Sequence, residues 1–392
     1  LSSEPGADRD LALQKELAAS YQKLGEVQGL PGTPNLGDTA GALESFQRAL
    51  AIETAIAKAR PGDFKAQVEL VKIESRLGYI LDVRDEGSEA RRHAEEAVRI
   101  AEALYAAHPM EVNARRALVA ALGGRNLFLQ RGDPRALIEN IRRMQRLSEE
   151  LNEAAPNDKS IRRDLALTCK DLGGALERSG DLPSAIAQYQ RAIDVEEKLM
   201  RDDANSASAR RELSYSFAVL GSALFKSGDT QQALLYSSRG LDLLNGLAEA
   251  DPSNADLKRQ LVLALGKIGP IQRKTKDWPA ALSSYRRAEA ILRSLPTANS
   301  VRDQSDLAKT YHGMGRLHIE WALADKLSGA ALRERIDQAR GSLQRALTIW
   351  SDLRQRGVAP SESQDAIDGI SSDLRACEAL EEGTGKRGSR SG

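Results

Sequence analysis

The segment RRDLALTCKDLGGALERSGDLPSAIAQYQRAIDVEEKLM, residues 162–200, decides the fold. In its first half, Leu165, Cys169 and Leu172 recur at the spacing of one face of a helix. A Ser-Gly-Asp sequence then interrupts the pattern, and Pro183 stands where a first helical turn tolerates proline. A second apolar helical face follows. The segment therefore predicts a helical hairpin that leaves one apolar side uncovered.

Copies of this hairpin recur along the chain. Gly173, Gly221 and Gly269 are each separated by 48 residues, and each follows an apolar residue in the first helix of a copy. The predicted second helices stop at similar intervals, at Pro61, Pro109, Pro156, Ala204 and Pro252. A hairpin of this kind needs a neighbour to cover its apolar side. The sequence therefore predicts an all-α array of about seven hairpins with a period of about 48 residues.

We expect one array over residues 11–380, preceded by a linker at 1–10 and followed by a flexible tail at 381–392. Its last helix, residues 361–380, has no second partner and is predicted to cap the exposed end. The predicted hairpins span residues 11–61, 62–109, 110–156, 157–204, 205–252, 253–298 and 299–360. The third is the most altered, with Arg125 at the glycine position. The seventh has about a dozen extra residues, which we expect in its connection.

Small residues recur where two helices have to approach. Helix axes pack about 8–10 Å apart, depending on the side chains at the contact. We therefore expect Gly173 to cross Ala185 within the hairpin, and Ala192 to contact the next hairpin. The bulky Tyr189 is expected to fill the wedge between neighbouring hairpins.

Composition argues against several classes of partner. Lys plus Arg and Asp plus Glu are 56 each, so the formal net charge is zero. A nucleic-acid-binding surface normally carries a basic excess, and the one compact basic segment, residues 386–390, is typical of a solvated tail. We predict no nucleic-acid partner. No run of about 18 apolar residues occurs, so we expect no membrane span. Because the chain begins with Leu1 and no apolar leader follows, we expect a processed chain or a fragment.

We predict no catalytic, cofactor-binding or metal-binding residue. Cys169 and Cys377 are far apart in the sequence and fall in helical patterns, so we expect both as small buried side chains. His312 and His318 are six residues apart, which differs from the i, i+4 spacing of helical zinc ligands. The glycine-rich segment at residues 29–38 lacks the lysine of a phosphate-binding loop.

The repeated pattern resembles the tetratricopeptide repeat (TPR) family over roughly residues 11–380. The resemblance rests on Leu-Gly in the first helix, Ala-x-x-x-Phe/Tyr-x-x-Ala in the second helix and a closing proline. It implies a right-handed superhelical solenoid whose concave face, built from the first helices, binds a protein or peptide partner. The familiar unit has about 34 residues, so we expect the extra length to extend the second helix by about two turns.

The family's groove positions, carried over to this sequence, form a mixed but locally basic stripe, for which an ordinary solvated face is the alternative. The partner-binding residues predicted in this way are Lys170, Glu177, Tyr215, Phe225, Lys226, Arg273, Lys274, Lys309, His312 and Arg316. The Lys/Asn arrangement with which chaperone-binding members hold a terminal carboxylate is not matched. We therefore predict no chaperone partner.

The first hairpin carries a narrower resemblance. Its segments LGEVQG, residues 24–29, and NLGDTAGAL, residues 35–43, are similar to the repeat region after the kinase domain and membrane helix of bacterial eukaryotic-type serine/threonine protein kinases. Neither a His-Arg-Asp nor an Asp-Phe-Gly triplet occurs. The resemblance implies a non-catalytic sensory or docking arm of a signalling kinase, on the extracytoplasmic side of a membrane. Two alternatives stay open: a signalling enzyme with its catalytic domain upstream of residue 1, and a structural array that self-associates through its ends.

Overall fold

The computed structural model describes residues 11–30 and 35–388, with side chains described up to residue 382. Within these ranges the chain is helical and contains no strand. The first eight helices are α1 (Leu11–Gly29), α2 (Thr39–Ala59), α3 (Phe64–Val83), α4 (Gly87–Ala107), α5 (Val112–Leu129), α6 (Pro134–Ala154), α7 (Lys159–Arg178) and α8 (Leu182–Asp202). The others are α9 (Ala207–Ser227), α10 (Thr230–Ala250), α11 (Ala255–Lys274), α12 (Trp278–Ser294), α13 (Val301–Ala324), α14 (Gly329–Gln355) and α15 (Ser363–Gly388). The predicted linker at residues 1–10 lies outside the described residues.

The helices form two compact units, Leu1–Val195 and Glu196–Gly392, and the division falls within α8. In the first unit, each helix from α1 to α7 packs against the next one along the chain. The same holds from α9 to α15 in the second unit, where α15 also contacts α13. The prediction of an all-α array of helical hairpins with a C-terminal capping helix is confirmed. The capping helix continues past Leu380, where the sequence predicted its end.

Helix lengths differ from the expectation. The second helices α2, α4, α6, α8 and α10 each have 21 residues, but the first helices α3, α5, α7, α9 and α11 have 18 to 21. A 34-residue unit leaves roughly 15 residues for each helix, so both helices are extended here. In the seventh hairpin, α13 has 24 residues and α14 has 27. Its insertion therefore lengthens the helices instead of the connection.

Aspartate and asparagine side chains start most of the helices. The Oδ1 atom of Asp158 accepts hydrogen bonds from the backbone N–H groups of Ser160 at 2.8 Å and Ile161 at 3.3 Å, at the start of α7. Such a cap satisfies backbone donors that have no partner within the helix. Similar caps are made by Asp38, Asp63, Asp133, Asp229, Asn254 and Asp277. The Gly-Asp pairs that interrupt the helical pattern in the sequence are therefore helix starts.

Glycine in the first helix permits a close crossing with the second helix. A Cβ atom at Gly173 would lie 2.6 Å from Cε1 of Tyr189, and one at Gly269 would lie 2.8 Å from the ring of Tyr285. The sequence predicted that Gly173 crosses Ala185. In the structure, the nearest neighbour of Gly173 is instead Tyr189. Because buried side chains are close-packed, a larger residue at either glycine would displace an aromatic ring.

The third hairpin replaces this glycine contact with hydrogen bonds. The Nε atom of Arg125, at the glycine position, donates to Oδ1 of the buried Asn140 at 3.0 Å. The Nδ2 atom of Asn140 donates in turn to the carbonyl oxygen of Leu122 at 2.8 Å and to Oδ1 of Asn126 at 2.7 Å. A buried amide with these partners is well tolerated, so α5 and α6 pack without the small residue.

Replacing Ala185 with Glu should strongly destabilise the fourth hairpin. Ala185 is 0% exposed, and an unpaired carboxylate in such a place costs more than about 3 kcal/mol. The measurement is the thermal midpoint by circular dichroism. Ala187→Glu, on the exposed side of the same helix, is the matched control and should melt like the wild type. Wild-type melting of the Ala185 variant would contradict the repeat register.

Candidate functional site

A groove of about 950 Å³ opens in the first unit. Its walls come from the first helices α1, α3, α5 and α7, and residues of the second helices α2 and α6 form its floor. The lining residues are Lys15, Ala19, Gln22, Glu53, Phe64, Lys65, Ala66, Val68, Glu69, Val71, Lys72, Ser75, Arg76, Asn113, Arg116, Ala117, Val119, Ala120, Gly123, Met144, Ser148, Leu151, Ile161, Asp164, Leu167, Thr168 and Asp171. We call this surface the first-unit groove.

One position of the repeat faces the groove in every hairpin of the first unit. It lies six residues before the glycine of the first helix, or before Arg125 in the third hairpin. Its occupants are Ala19, Lys72, Val119 and Leu167. The largest of the apolar ones, Leu167, is 54% exposed. A segment lying along the groove therefore meets one side chain of this set from each hairpin.

The helices that line the groove differ in charge. α3 contributes the cationic side chains of Lys65, Lys72 and Arg76 with a single carboxylate, Glu69. α7 contributes Asp164 and Asp171, which lie on either side of Leu167, and no cation. The groove thus offers a mainly basic surface on α3 and an acidic surface, with an apolar centre, on α7.

Partial burial raises the pKa of Asp164 and of Asp171, because the surrounding protein replaces part of the water around each carboxyl group. Arg116, whose Nη2 atom lies 3.6 Å from Oδ2 of Asp164, opposes the rise at that residue. Lys170 and Arg178 oppose it at Asp171. A nearby cation stabilises the ionised form of such a group, so a basic ligand is favoured along α7.

Polar side chains join α1 to α3 at the amino-terminal end of the groove. Nζ of Lys15 lies 2.7 Å from Oδ2 of Asp63, and Nε2 of Gln22 donates to Oε2 of Glu69 at 3.1 Å. Nζ of Lys72 lies 2.7 Å from the other carboxylate oxygen of Glu69. Lys15 and Lys72 are therefore already paired with carboxylates of α3 and its cap.

Glu53, on α2, is the exception at this end. It is 3% exposed, and its Oε2 atom has no hydrogen-bond partner among the described residues. Burial is the main cause that raises the pKa of Glu53 to about 7, while Glu69 adds to the rise, Lys15 opposes it and Asp63 adds a smaller part. At neutral pH this carboxyl group is therefore roughly half protonated.

Two of the partner-binding residues predicted from the sequence lie in the first unit, and neither lines the groove. Glu177 accepts a hydrogen bond from the hydroxyl of Tyr189 at 2.8 Å, so it helps to hold the ring that crosses the glycine. Lys170 adjoins Asp171 on α7 and opposes the rise of its pKa. The structure thus connects Glu177 with packing and Lys170 with the edge of the acidic surface.

In the second unit, Tyr215 and Lys309 occupy the repeat position that faces the groove in the first unit. Tyr215 is 58% exposed. The capping helix and the turn before it supply carboxylates to the predicted stripe. Nζ of Lys309 lies 3.3 Å from Oε1 of Glu362, directly before α15. Nε2 of His312 lies 2.7 Å from Oδ2 of Asp373.

The other predicted residues of the second unit divide into two groups. Arg273 pairs with Glu320 on α13, and Arg316 lies 3.8 Å from the same carboxylate. The rest are exposed or half-buried near the hairpin turns, namely Phe225, Lys226 and Lys274. Much of the positive charge of the predicted stripe is therefore matched by acidic residues of the same unit.

Sequence reasoning missed the first-unit groove, because it placed most contact residues in the later hairpins. A signal was present in the spacing of the large apolar residues Leu167, Tyr215 and Leu263, which recur at intervals of 48 residues. All three are at least 45% exposed in the structure. Large apolar side chains that recur on an exposed face indicate a contact surface.

Residues with reactive or metal-binding side chains are dispersed. Among the described residues, no group of three or more His, Cys, Asp or Glu is placed to hold a metal ion. Cys169 and Cys377 are buried, as expected. Burial lowers the pKa of His318 to about 4. In the same part of the chain, no helix has the length and apolar character that crossing a membrane requires.

No protein-family model and no curated protein matches the sequence. The structure is similar to that of BtubC (BKLC) from P. vanneervenii, with a TM-score of 0.51 and 17% identity, over 66% of this chain and 91% of that one. It is also similar to a tetratricopeptide repeat protein from Parabacteroides merdae, with a TM-score of 0.40 and 12% identity, over 91% and 98% of the chains. The similarity to BtubC supports the fold alone. The hairpins and their small-residue pattern define an all-α helical-repeat fold.

Glu53 should make the stability of the first unit depend on pH. The pKa of its carboxyl group is about 7 in the folded chain and has the ordinary value of 4.5 in the unfolded chain, so the folded chain binds the proton more tightly. Its stabilising effect is therefore complete below about pH 4.5 and is lost as the pH rises through 7. Between pH 5 and 8, Glu53→Gln should gain about 2 kcal/mol relative to the wild type, measured by urea unfolding. Glu16→Gln, at an exposed site of the same unit, is the control, and its unfolding free energy should change with pH as that of the wild type does. The same pH dependence in Glu53→Gln and the wild type would contradict the raised pKa of Glu53.

Proposed function

We propose that this protein is a non-catalytic scaffold that binds a peptide or protein partner along the first-unit groove. The observation that carries the proposal is a groove of about 950 Å³ to which four successive first helices contribute side chains. Stacked helical hairpins present extended surfaces of this kind, and such surfaces suit chain segments better than small molecules. Neighbouring helix axes are about 8–10 Å apart, so an extended segment of roughly eight to ten residues would reach all four helices.

Shape and charge together would select the partner. Leu167 offers an exposed apolar contact, and burial of a partner's apolar side chain against it contributes about 25 cal/mol per Å². The carboxylates of α7 favour basic groups, whereas Lys65 and Lys72 on α3 favour acidic ones. A segment with both signs of charge around an apolar residue fits this arrangement.

The stripe predicted in the second unit is a second, smaller contact surface in this proposal. Tyr215 and Leu263 occupy the same repeat position as Leu167 and are both well exposed. Lys226 and Lys274 are exposed nearby in the sequence of α9 and α11. The second unit thus carries its own exposed apolar and basic side chains for a partner.

The parent protein is a separate proposal. The similarity of residues 24–29 and 35–43 to the repeats of bacterial serine/threonine protein kinases supports a sensory or docking arm of a signalling kinase. The coding sequence upstream of Leu1 tests this idea directly. A kinase domain and a membrane helix there would support it, and an uninterrupted series of further repeats would remove its basis.

Leu167→Glu should remove partner binding while leaving the fold intact. Because the partner is unidentified, the probe is a displayed library of random peptides of roughly ten residues, selected on the full chain. We expect most selected peptides to lose at least about tenfold in affinity for Leu167→Glu, since a charge replaces the apolar contact. The control is Leu235→Glu, which changes a leucine of similar exposure, 52% against 54%, on a second helix. Peptides that bind both variants like the wild type would refute the groove as the binding site.

A further inference from the structure

One buried position of the repeat changes character along the chain. It lies four residues after the second alanine of the second-helix pattern, so it is Glu53 after Ala49 in the first hairpin. Its occupants in chain order are Glu53, Ala101, Ser148, Glu196, Leu244, Leu292 and Trp350. Every one of them is buried, with at most 4% of its surface exposed. The position is thus polar in three of the first four hairpins, with alanine in the second, and apolar in the last three.

In the last three hairpins this position contributes to apolar packing. Leu244 belongs to the apolar cluster between α10 and α11, and Leu292 and Trp350 belong to the large cluster of α12 to α15. A leucine is therefore fully compatible with the hairpin geometry at this position. The repeat itself gives no packing reason for a glutamate.

In the first unit the same position forms part of the groove floor. Glu53 and Ser148 both line the groove, and both are nine-tenths or more buried. Oε2 of Glu53 and Oγ of Ser148 have no hydrogen-bond partner among the residues that the structure describes. Buried polar groups are nearly always paired in folded proteins. The Nε1 atom of Trp350, at the same repeat position, also lacks a partner among the described residues, but it packs within an apolar cluster. Glu53 and Ser148 differ from it because they line a groove, where a ligand can supply the missing partners.

The charges around Glu53 identify the chemistry of that ligand. The groups that act on it are Lys15 from α1 and Asp63 and Glu69 from α3. With Lys72, which pairs with Glu69, two lysines face three carboxyl groups. Nζ of Lys15 is bound to Asp63 at 2.7 Å, and Lys72 and Gln22 bind Glu69. A cationic donor would compensate the excess of carboxylates at Glu53, whereas an anion would add to it.

We propose that Glu53 receives a lysine or arginine side chain of the segment that occupies the first-unit groove. The proposal rests on the proposed function, because it names the chemistry of the partner at that same site. The entering cation forms a charge-assisted hydrogen bond with Oε2 of Glu53, and the proton that the carboxyl group carried passes to solvent. Asp164 and Asp171 extend the preference for basic groups along α7. A basic residue flanked by an apolar one is thus the signature of the partner.

The peptide library described above tests the preference. Peptides selected on the wild-type chain should share a lysine or arginine at one position, and Glu53→Gln should weaken them by about tenfold to a hundredfold. Ser283→Ala, at an exposed site of α12 in the second unit, is the control and should leave affinity unchanged. Peptides that depend on Leu167 but lack a shared basic residue would overturn this proposal and leave the proposed function standing. Peptides that depend on neither Leu167 nor Glu53 would overturn both.

Proton release provides a readout that a purely structural role of Glu53 would not move. Because the pKa of Glu53 is about 7 in the free chain, binding of a cation at pH 7 should release roughly half a proton per complex. Isothermal titration of a selected basic peptide in two buffers of different ionisation enthalpy measures this number. The variant Asp164→Asn measures the part of the proton release that comes from Asp164 on α7. Proton release that the wild type shows and Glu53→Gln lacks supports the proposal. Equal numbers of protons released by the two chains would overturn it. If the variant fails to fold, the proton release of the wild type decides alone, and its absence would overturn the proposal.

Discussion

The close approach of the two helices in each hairpin is the constraint on which the rest of the structure depends. At Gly173 and Gly269, an aromatic ring of the second helix lies only 2.6 and 2.8 Å from where a Cβ atom would be. This contact fixes the rotation of the first helix about its own axis. The residue six positions before this glycine, or before Arg125 in the third hairpin, faces the groove throughout the first unit. The packing of the hairpin thus determines which side chains a partner can meet.

Electrostatic pairing separates the first-unit groove from the stripe of the second unit. In the second unit, Arg273 pairs with Glu320 on α13, Lys309 with Glu362 just before α15, and His312 with Asp373 on α15. In the first-unit groove, the buried Glu53 lacks such a partner among the described residues. A ligand that binds along the stripe has to replace existing ion pairs, which gains little free energy in water. A cation that reaches Glu53 forms a new ion pair in a place that is largely shielded from water.

The sequence alone was sufficient for the class of fold, because the period of 48 residues and the caps at Gly-Asp pairs are local patterns. It was insufficient for helix lengths, since apolar periodicity continues through an insertion, and the extra residues of the seventh hairpin became helix. The site was harder to predict. Whether His312 is available depends on Asp373, 61 residues away, and whether Glu53 has a partner depends on three helices together. Such pairings follow from the three-dimensional arrangement and leave no periodic trace.

The residues that hold each hairpin together and those that face the groove are different sets. Along the groove-facing position, alanine, lysine, valine and leucine follow one another, while the hairpins that carry them keep the same architecture. A substitution at Lys72 or Leu167 changes an exposed contact without entering the crossing of two helices. Duplicated hairpins can therefore diverge in what they recognise at almost no loss of stability. The array is a scaffold on which new binding specificities can evolve one residue and one repeat at a time.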